Sequence, residues 1–326
     1  MFTDLPDASI HSLGEVKLIA AIGEWLGSEV SPPSPCGMGD DCAVIDTSHI
    51  DRQLLTTDSV SFGRHFDTTV SAQSAGAKLI KRNLSDIAAM GGHPGPALLN
   101  LLCAPNLRLD WLCEFIQGIR QTCERYQVPI VGGDISTLPS GQFTAALSLT
   151  GHMRGQTALL RRGAQQGDAI YVTGSLGGSI YHKHYSFEPR LAEGQWLAQS
   201  GVCSAMMDIT DGIAKDLNAL LPGDCAAHMD LPALPLASDA FRRAQETGHS
   251  AIEHAFCDGE DYELLLTLRC GTTQAAFEAD WKQRFPNTPL TRIGKLEPRI
   301  GEARYLDASS KEALPWIRGF EHLSGS

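Results

Sequence analysis

The sequence predicts an α/β (α+β) protein with two α/β domains, mixed sheets and an active site in the cleft between the domains. The chain has 326 residues, which exceeds the usual size of a single hydrophobic core. Short apolar runs alternate with segments of helical period along the whole chain. A basic turn, LLRRGAQQGD at 159–168, separates halves of similar texture. We therefore expect domains at residues 1–155 and 156–326.

The first half begins with a capping-box pattern at 12–15 that predicts a helix. The apolar residues placed on one face of this helix are Val16, Ile19, Ile22 and Leu26. A Pro-rich loop is expected at 31–41, followed by short strands at 42–46 and 52–58. Further helices are predicted at 71–90 and 109–126, and further strands at 96–104, 128–133 and 142–153.

The second half alternates strands and helices in the same manner. Helices are predicted at 212–221 and 275–285. The predicted strands lie at 169–174, 204–208, 226–231, 262–268, 290–296 and 303–307.

Composition narrows the class of protein. With 26 basic and 38 acidic residues the formal charge is -12, which argues against nucleic acid and anionic membranes as partners. The nine cysteines form no CxxC pair and lie mostly in apolar runs, as is typical of a reducing compartment. No signal peptide and no apolar run of about 18 residues is found. These observations predict a cytoplasmic protein.

Apolar strands of this chain run into carboxylates. QLLTTDS reaches Asp58, PIVGGDIS reaches Asp134, and SAMMDITDG reaches Asp208 and Asp211. GMGDD adds Asp40 and Asp41, and a helix adds Asp86. So many carboxylates in one crevice would repel each other unless cations lay among them. Each motif alone is about equally compatible with a cap or turn, but together they favour a multi-Mg²⁺ site holding a polyphosphate, as in a small-molecule kinase.

Other residues support or limit this hypothesis. The hydroxyls of Thr56 and Thr57 are hard oxygen ligands, and Gly132 and Gly133 leave room for phosphate. Each of the following has a structural alternative and a phosphate- or substrate-binding one: Arg161, Arg162, Lys183, Arg190, His65, Glu260 and Asp261. The P-loop, protein-kinase, GxSxG and HExxH motifs are absent from the sequence.

The motifs, taken in order, resemble one known family. GMGDDCAV, TTDS, NLSDIAAMGG, IVGGDIS, RRGAQQGDAIYVTG, MMDITDG and GEDYELLLT are similar to the thiamine-monophosphate kinase family. This family belongs to the ATP-dependent superfamily of aminoimidazole ribonucleotide synthetase and selenophosphate synthetase. The resemblance implies ATP as co-substrate, several Mg²⁺ ions, thiamine monophosphate as acceptor, and a homodimer joined through the first domains, which would bind ATP and Mg²⁺.

The resemblance also assigns site residues. The implied Mg²⁺ ligands are Asp41, Thr56, Thr57, Asp58, Asp86, Asp134, Asp208 and Asp211. The implied ATP contacts are Gly133, Asp134, Arg161 and Thr210, and the implied substrate contacts are His65, Glu260 and Phe320. No catalytic acid or base is implied. The chain departs from the family pattern in a short 179–190 segment, at Asp258 and at Phe320.

Two other functions remain open from the residues alone. One is a related superfamily enzyme that uses ATP on another small acceptor. Met1 to Glu15 contains no Cys, which disfavours a selenophosphate synthetase. The other is a Mg-nucleotide-binding protein without catalysis.

Overall fold

The chain divides into two compact units. The computed structural model describes residues 1–40, 42–48 and 50–320, with backbone only at 34, 35, 39 and 40. Unit 1 comprises Met1–Ile87 and Gly92–Gly155, and unit 2 comprises Ala88–Gly91 and Gln156–Ser326. Both combine helices with a mixed sheet, so the predicted α/β (α+β) class is confirmed.

Unit 1 is built around a four-stranded sheet. Its helices are α1 (Gly14–Leu26), α2 (Ala72–Ala89) and α3 (Leu109–Tyr126), with α2 ending in unit 2. Its strands are β1 (Pro33–Asp40), β2 (Gln53–Ser61), β3 (His93–Cys103), β4 (Ile130–Thr137) and β5 (Phe143–His152). The order in the sheet is β2-β5-β3-β4, and β3 and β4 run parallel while the other pairs are antiparallel.

One face of this sheet is covered by helices. Burial alternates strictly along β5, where Phe143, Ala145 and Leu147 are buried and the residues between them are partly exposed. Phe115 of α3 packs edge-on against Phe143, with ring centroids 5.1 Å apart. The helices α2 and α3 cross closely because Gly76 lacks a side chain: a Cβ there would lie 2.1 Å from the Phe115 carbonyl oxygen.

The other face of the unit 1 sheet is open and apolar. Leu55 is 76% exposed and Leu98 is 45% exposed. A groove of about 940 Å³ lies over this face, and its lining includes Thr57, Ser148 and Asp134. The open face, as we call it below, is therefore a surface of apolar side chains with polar groups among them.

Four local predictions are wrong. The Pro-rich segment predicted as a loop forms β1, and the segment 42–46 is irregular rather than a strand. Pro33 is the first residue of β1, a position at which a strand tolerates proline. In α1 the N-cap Leu13 has no side-chain cap, so the capping box does not form. Leu18 is buried there, whereas Val16 is 82% exposed.

Unit 2 contains a six-stranded sheet of order β11-β8-β10-β6-β9-β7. Its strands are β6 (Ala169–Thr173), β7 (Cys203–Asp208), β8 (Cys225–Met229), β9 (Leu264–Leu268), β10 (Leu290–Pro298) and β11 (Tyr305–Asp307). Its helices are α4 (Lys183–Ser186), α5 (Leu191–Ser200), α6 (Ile213–Leu220), α7 (Ser238–Thr247), α8 (Ala251–Cys257) and α9 (Gln274–Arg284). Short 3₁₀ turns occur in unit 1 at Pro6–Ala8 and Ile10–Ser12 and in unit 2 at Ser179–Tyr181 and Leu231–Ala233.

Both faces of the unit 2 sheet are covered. Ile170 and Val172 of β6 join one hydrophobic core, whereas Ala169 and Tyr171 join a second core with Trp281 of α9. Strands buried on both sides read as continuous apolar runs, as β6 and β9 do. Within the described residues, no helix is both long and apolar enough to cross a membrane.

Candidate functional site

Two of the predicted carboxylates lie inside strands rather than at their ends. Asp58 is within β2 and Asp134 is within β4, and of the three predicted strand-end aspartates only Asp208 ends its strand. Side chains inside a strand project from the faces of a sheet. The expectation that all three point into one crevice from strand ends is therefore wrong for Asp58 and Asp134.

Asp58 and its neighbours face the helices of unit 1. The Arg82 guanidinium lies 3.0 Å from the Asp58 carboxylate, and the Thr56 hydroxyl donates a hydrogen bond to Asp86. Arg82 and Asp86 are one turn apart on α2, as their spacing predicted. The structure thus brings Thr56, Asp58 and Asp86 together beside the guanidinium of Arg82.

Thr57 and Asp134 project from the open face. The Ser148 hydroxyl lies directly opposite Thr57 on β5 and donates to its Oγ1 at 3.3 Å. Asp134 is exposed and accepts a hydrogen bond from Ser136 at 2.8 Å. Because β5 and β3 separate β2 from β4, Asp58 and Asp134 lie roughly 14 Å apart across three strand spacings, on opposite faces. Within one chain they do not form the single cluster that we expected.

Gly133 has a structural reason to be glycine. A Cβ at this position would lie 1.7 Å from the carbonyl oxygen of Leu99 on the parallel strand β3. Gly132, by contrast, borders the groove, and a Cβ there would meet only the Leu98 side chain at 3.2 Å. Close strand approach therefore explains Gly133, while the space at Gly132 remains compatible with a phosphate.

His65 is held in one orientation. Its backbone N–H donates to the Ser61 carbonyl at 2.9 Å, and its ring Nδ1 accepts the Ser61 N–H at 3.1 Å. The buried Lys78 ammonium donates to the His65 carbonyl at 3.0 Å. Because Nδ1 accepts a hydrogen bond, the proton of the neutral ring is assigned to Nε2, which makes His65 an oriented donor.

In unit 2, Asp208 and the loop after it are fixed by a buried carboxylate. Asp208 is only 2% exposed. The backbone N–H groups of Thr210 and Asp211 both donate to Asp216 Oδ2 at 2.9 Å. Burial raises the pKa of Asp216 to about 7. This loop, Asp208–Gly212, therefore has its backbone set by the helix that follows it.

The Asp208–Gly212 loop also contacts Lys215 and Phe320 through Asp211. Lys215 Nζ lies 2.7 Å from Asp211 Oδ2 and donates to the Phe320 carbonyl at 2.9 Å. The Phe320 N–H donates to the Asp211 carbonyl at 3.0 Å. The structure thus places Phe320, predicted to bind substrate, directly against Asp211, predicted to bind metal.

The segment Gly259–Glu263 pairs with the same loop. Glu260 N–H donates to the Thr210 carbonyl at 2.8 Å, and Tyr262 N–H donates to the Ile209 carbonyl at 2.9 Å. Glu260 (φ 55°) and Tyr262 (φ 51°) have left-handed conformations, which are unfavourable for residues other than glycine. Outliers of this kind are held by the surrounding structure and cluster at functional sites.

The neighbouring acids Asp261 and Glu263 are structural. Burial raises the pKa of Asp261 to about 7, and its carboxylate accepts the Gly177 N–H. Burial opposes ionisation of Glu263, but Lys183 and Arg190 outweigh it and lower the pKa of this carboxyl. Lys183 and Arg190, considered as phosphate contacts, are instead ion-paired with Glu263 at 2.9 and 2.7 Å.

Arg161 is exposed at the margin of unit 2. The adjacent Leu160 carbonyl accepts the Met206 N–H of β7 at 3.0 Å, which fixes this segment along the strand. The Arg161 charge acts on Asp216, where it opposes the rise in that carboxyl's pKa. Arg161 is thus an available cation beside the Asp208–Gly212 loop.

The donor set suits a hard cation accompanied by phosphates. Among the described residues, no three His, Cys, Asp or Glu side chains lie close enough together to hold a metal ion by themselves. Mg²⁺ is usually bound by one or two carboxylates together with substrate phosphates, so the exposed Asp134 and the oxygen ligands near it fit that role. Asp41 lies outside the described residues.

Strand pairing brings residues to the site that the sequence does not indicate. Ser148 and Asn100 lie opposite Thr57 and Asp134 across the sheet, but nothing in the sequence relates them. Lys215 and Asp216 had a visible signal, because they follow Asp211 by four and five residues at the start of α6.

Comparison with known proteins identifies the family. The model of the AIR synthase related protein N-terminal domain matches residues 39–153. The thiamine-monophosphate kinase of Rhodopirellula baltica is 35% identical over 89% of this chain and 92% of that protein. The Escherichia coli (strain K12) thiamine-monophosphate kinase is 30% identical over 95% of this chain and 98% of that protein.

Solved structures agree with these relatives. AaThiL complexed with AMPPCP and TMP superposes with a TM-score of 0.67 at 28% identity, covering 93% of this chain and 96% of that one. The thiamine-monophosphate kinase from Stenotrophomonas maltophilia K279a gives a TM-score of 0.72 at 27% identity, covering 93% of this chain and 98% of that one. The resemblance read from the motifs is therefore confirmed, and the chain belongs to the thiamine-monophosphate kinase family.

Proposed function

We propose that this protein transfers the γ-phosphoryl group of ATP to thiamine monophosphate, giving thiamine diphosphate and ADP. Its relatives carry the name of that activity, and the solved AaThiL complex contains AMPPCP and TMP. The observation on this chain that carries the proposal is the pairing of the Thr210 loop with the Glu260 turn, at 2.8 Å. It joins a residue assigned to ATP with a residue assigned to the acceptor.

The chemistry requires positioning rather than a catalytic base. A terminal phosphate oxygen of the acceptor attacks the γ-phosphorus in line, and ADP leaves. A phosphate monoester has a second pKa of about 6, so it is largely deprotonated near neutral pH. Arg161, which is exposed beside the Asp208–Gly212 loop, would neutralise phosphate charge.

Several Mg²⁺ ions would be held by the carboxylates that the family motifs imply. We assign Asp58, Asp86 and Asp134 of unit 1 and Asp208 and Asp211 of unit 2 to this role, with Asp41 as the family motif implies. When bound, the cation would neutralise the phosphate oxygens of ATP and so favour attack by an anionic acceptor. The hydroxyls of Thr56 and Thr57 supply further oxygen donors to this set.

We infer that the active form is a homodimer joined through the open face of unit 1. Leu55 and Leu98 are exposed there, and an apolar face of this kind is typical of an interface. We also assign the activity to the cytoplasm, because all nine cysteines, each within the described residues, are free thiols.

Incubation with Mg·ATP and thiamine monophosphate, followed by mass spectrometry, tests the proposal directly. Thiamine diphosphate and ADP should form in equal amounts, and no thiamine diphosphate would contradict the assigned acceptor. ADP with inorganic phosphate but no thiamine diphosphate would instead show that water, and not thiamine monophosphate, accepts the phosphoryl group. We expect Asp58→Asn and Asp134→Asn each to reduce turnover at least about 100-fold. Near wild-type turnover of both at saturating Mg²⁺ would contradict the metal assignment.

A further inference from the structure

One short segment of unit 2, residues 183–187, contacts the side chains of the Gly259–Glu263 turn. Lys183 lies 2.9 Å from Glu263, His184 Nδ1 lies 3.4 Å from Glu260 Oε2, and Phe187 stacks on Tyr262 with ring centroids 3.9 Å apart. Lys183 Nζ also lies 3.9 Å from Asp261 Oδ1, so the segment 183–187 contacts all four residues 260–263. No contact of this kind was expected from the sequence.

The turn is strained, and the strain serves to direct one side chain. Glu260 and Tyr262 both have positive φ, which is unfavourable for residues other than glycine. Asp261 points inward, is fully buried and accepts a hydrogen bond from the Gly177 N–H. Glu260 points the other way, and its side chain remains 31% exposed.

Two side chains lie against the two oxygens of the Glu260 carboxylate. Tyr262 donates its hydroxyl hydrogen to Oε1 at 3.2 Å, while His184 approaches Oε2 from a side chain that is only 9% exposed. Tyr185 packs edge-on against the His184 ring at 4.6 Å, which restricts the ring. An exposed carboxylate is normally free to change rotamer, so two partners and a strained backbone indicate that its position matters.

We propose that the segment 183–187 is a clamp and that His184 and Tyr262 are positioning residues that fix Glu260 for acceptor binding. This inference rests on the proposed function. A fixed anion would repel the phosphate of the acceptor and attract its opposite end. Thiamine monophosphate has an amino-substituted pyrimidine at that end, and its N–H groups are donors that match a carboxylate. Glu260 therefore selects acceptors that carry an amine.

The test measures acceptor binding by calorimetry, with AMPPCP and Mg²⁺ present, so that it does not depend on turnover. His184→Leu and Tyr262→Phe should each weaken thiamine monophosphate binding roughly tenfold and leave AMPPCP binding unchanged. His184→Asn, which returns a donor near the Nδ1 position, should recover most of the loss. Tyr262→Phe retains the stacking on Phe187 and is the informative variant if substitution of the buried His184 impairs folding.

A neighbour supplies a matched control. His182 is exposed and lies outside the segment 183–187, so His182→Leu should bind the acceptor as the wild type does. Selectivity gives the second measurement. The wild type should prefer thiamine monophosphate over its analogue with oxygen in place of the exocyclic amine, and Glu260→Gln and His184→Leu should reduce that preference.

The outcomes separate the inference from the proposed function. If the wild type makes thiamine diphosphate but His184→Leu and Tyr262→Phe bind the acceptor normally, the clamp is overturned and the function stands. If the wild type binds thiamine monophosphate without turnover, weaker binding by the variants still supports the clamp. Absence of thiamine monophosphate binding by the wild type overturns both.

Discussion

The two sheets of this protein differ in how many of their faces are covered. In unit 1, β5 alternates between buried and partly exposed residues, and the opposite face of the sheet carries the exposed Leu55 and Leu98. In unit 2, β6 and β9 are buried throughout because helices cover both faces. Polar groups of the unit 1 site thus project from the faces of its sheet, whereas those of unit 2 lie in loops at the ends of its strands. An open face leaves room for ligands and partners that a closed sheet excludes.

The largest expected effect is on the closed sheet. Leu266 is fully buried in β9, so Leu266→Asp places a charge in a core and should lower the free energy of unfolding by about 4 kcal/mol or more. The same change on the open face, Leu98→Asp, should alter it by no more than about 0.5 kcal/mol in the monomer. Urea unfolding followed by circular dichroism measures both. Equal losses would show that covering both faces of the unit 2 sheet does not change the cost of a buried charge in the free energy of unfolding.

An intermediate effect is expected from the buried acid beside the unit 2 site. Burial raises the pKa of Asp216 to about 7, above an unfolded value of about 3.9. The folded state therefore binds this proton more tightly, and stability falls as pH rises through about 7. Between pH 5 and pH 8 in metal-free buffer, we expect a loss on the order of 2 kcal/mol.

Asp216→Asn serves as the control for that pH dependence. An amide cannot ionise, yet its oxygen still accepts the Thr210 and Asp211 N–H groups, so the decline should flatten. A decline of the same steepness in wild type and variant would assign it to other groups.

The smallest effect on folding, but a clear effect on assembly, is expected at the open face. Leu55→Lys should leave the free energy of unfolding of the monomer within about 0.5 kcal/mol and shift the solution mass from dimer to monomer. Ile300, which is 86% exposed in unit 2, supplies the matched control Ile300→Lys, for which the dimer should persist. Sedimentation measures both. A Leu55→Lys variant that remains dimeric would exclude the open face as the interface.

The element pattern was largely predictable because periodicity follows from local geometry. The predicted helix at 109–126 coincides with α3, and the runs at 169–174 and 262–268 contain β6 and β9. The errors occurred where local signals conflict with context. The Pro-rich segment forms β1, and Val16 is exposed although it continues an apolar stripe. A single helix cannot indicate by itself which side its neighbours occupy.

The candidate site residues show the same difference between what local motifs predict and what the fold decides. Asp58, Asp134 and Asp208 were found from their motifs, but the motifs do not reveal whether a carboxylate ends a strand or lies within it. The sequence left Lys183 and Arg190 open as phosphate contacts, but both pair with Glu263, which is more than 70 residues away in sequence. Pairings of this kind depend on the fold, since no local rule relates such distant residues.

By itself, the sequence determined the α/β class and the family, because periodicity and motif order are properties of the chain. Only the tertiary structure decided that Asp58 faces the helices while Asp134 faces the open side, since register and pleat assign the faces of a sheet. It alone also joined Glu260 to His184 and Thr210. Those contacts arise from packing between segments that are distant in sequence, and they decide which of the many acidic residues are held in place for a ligand.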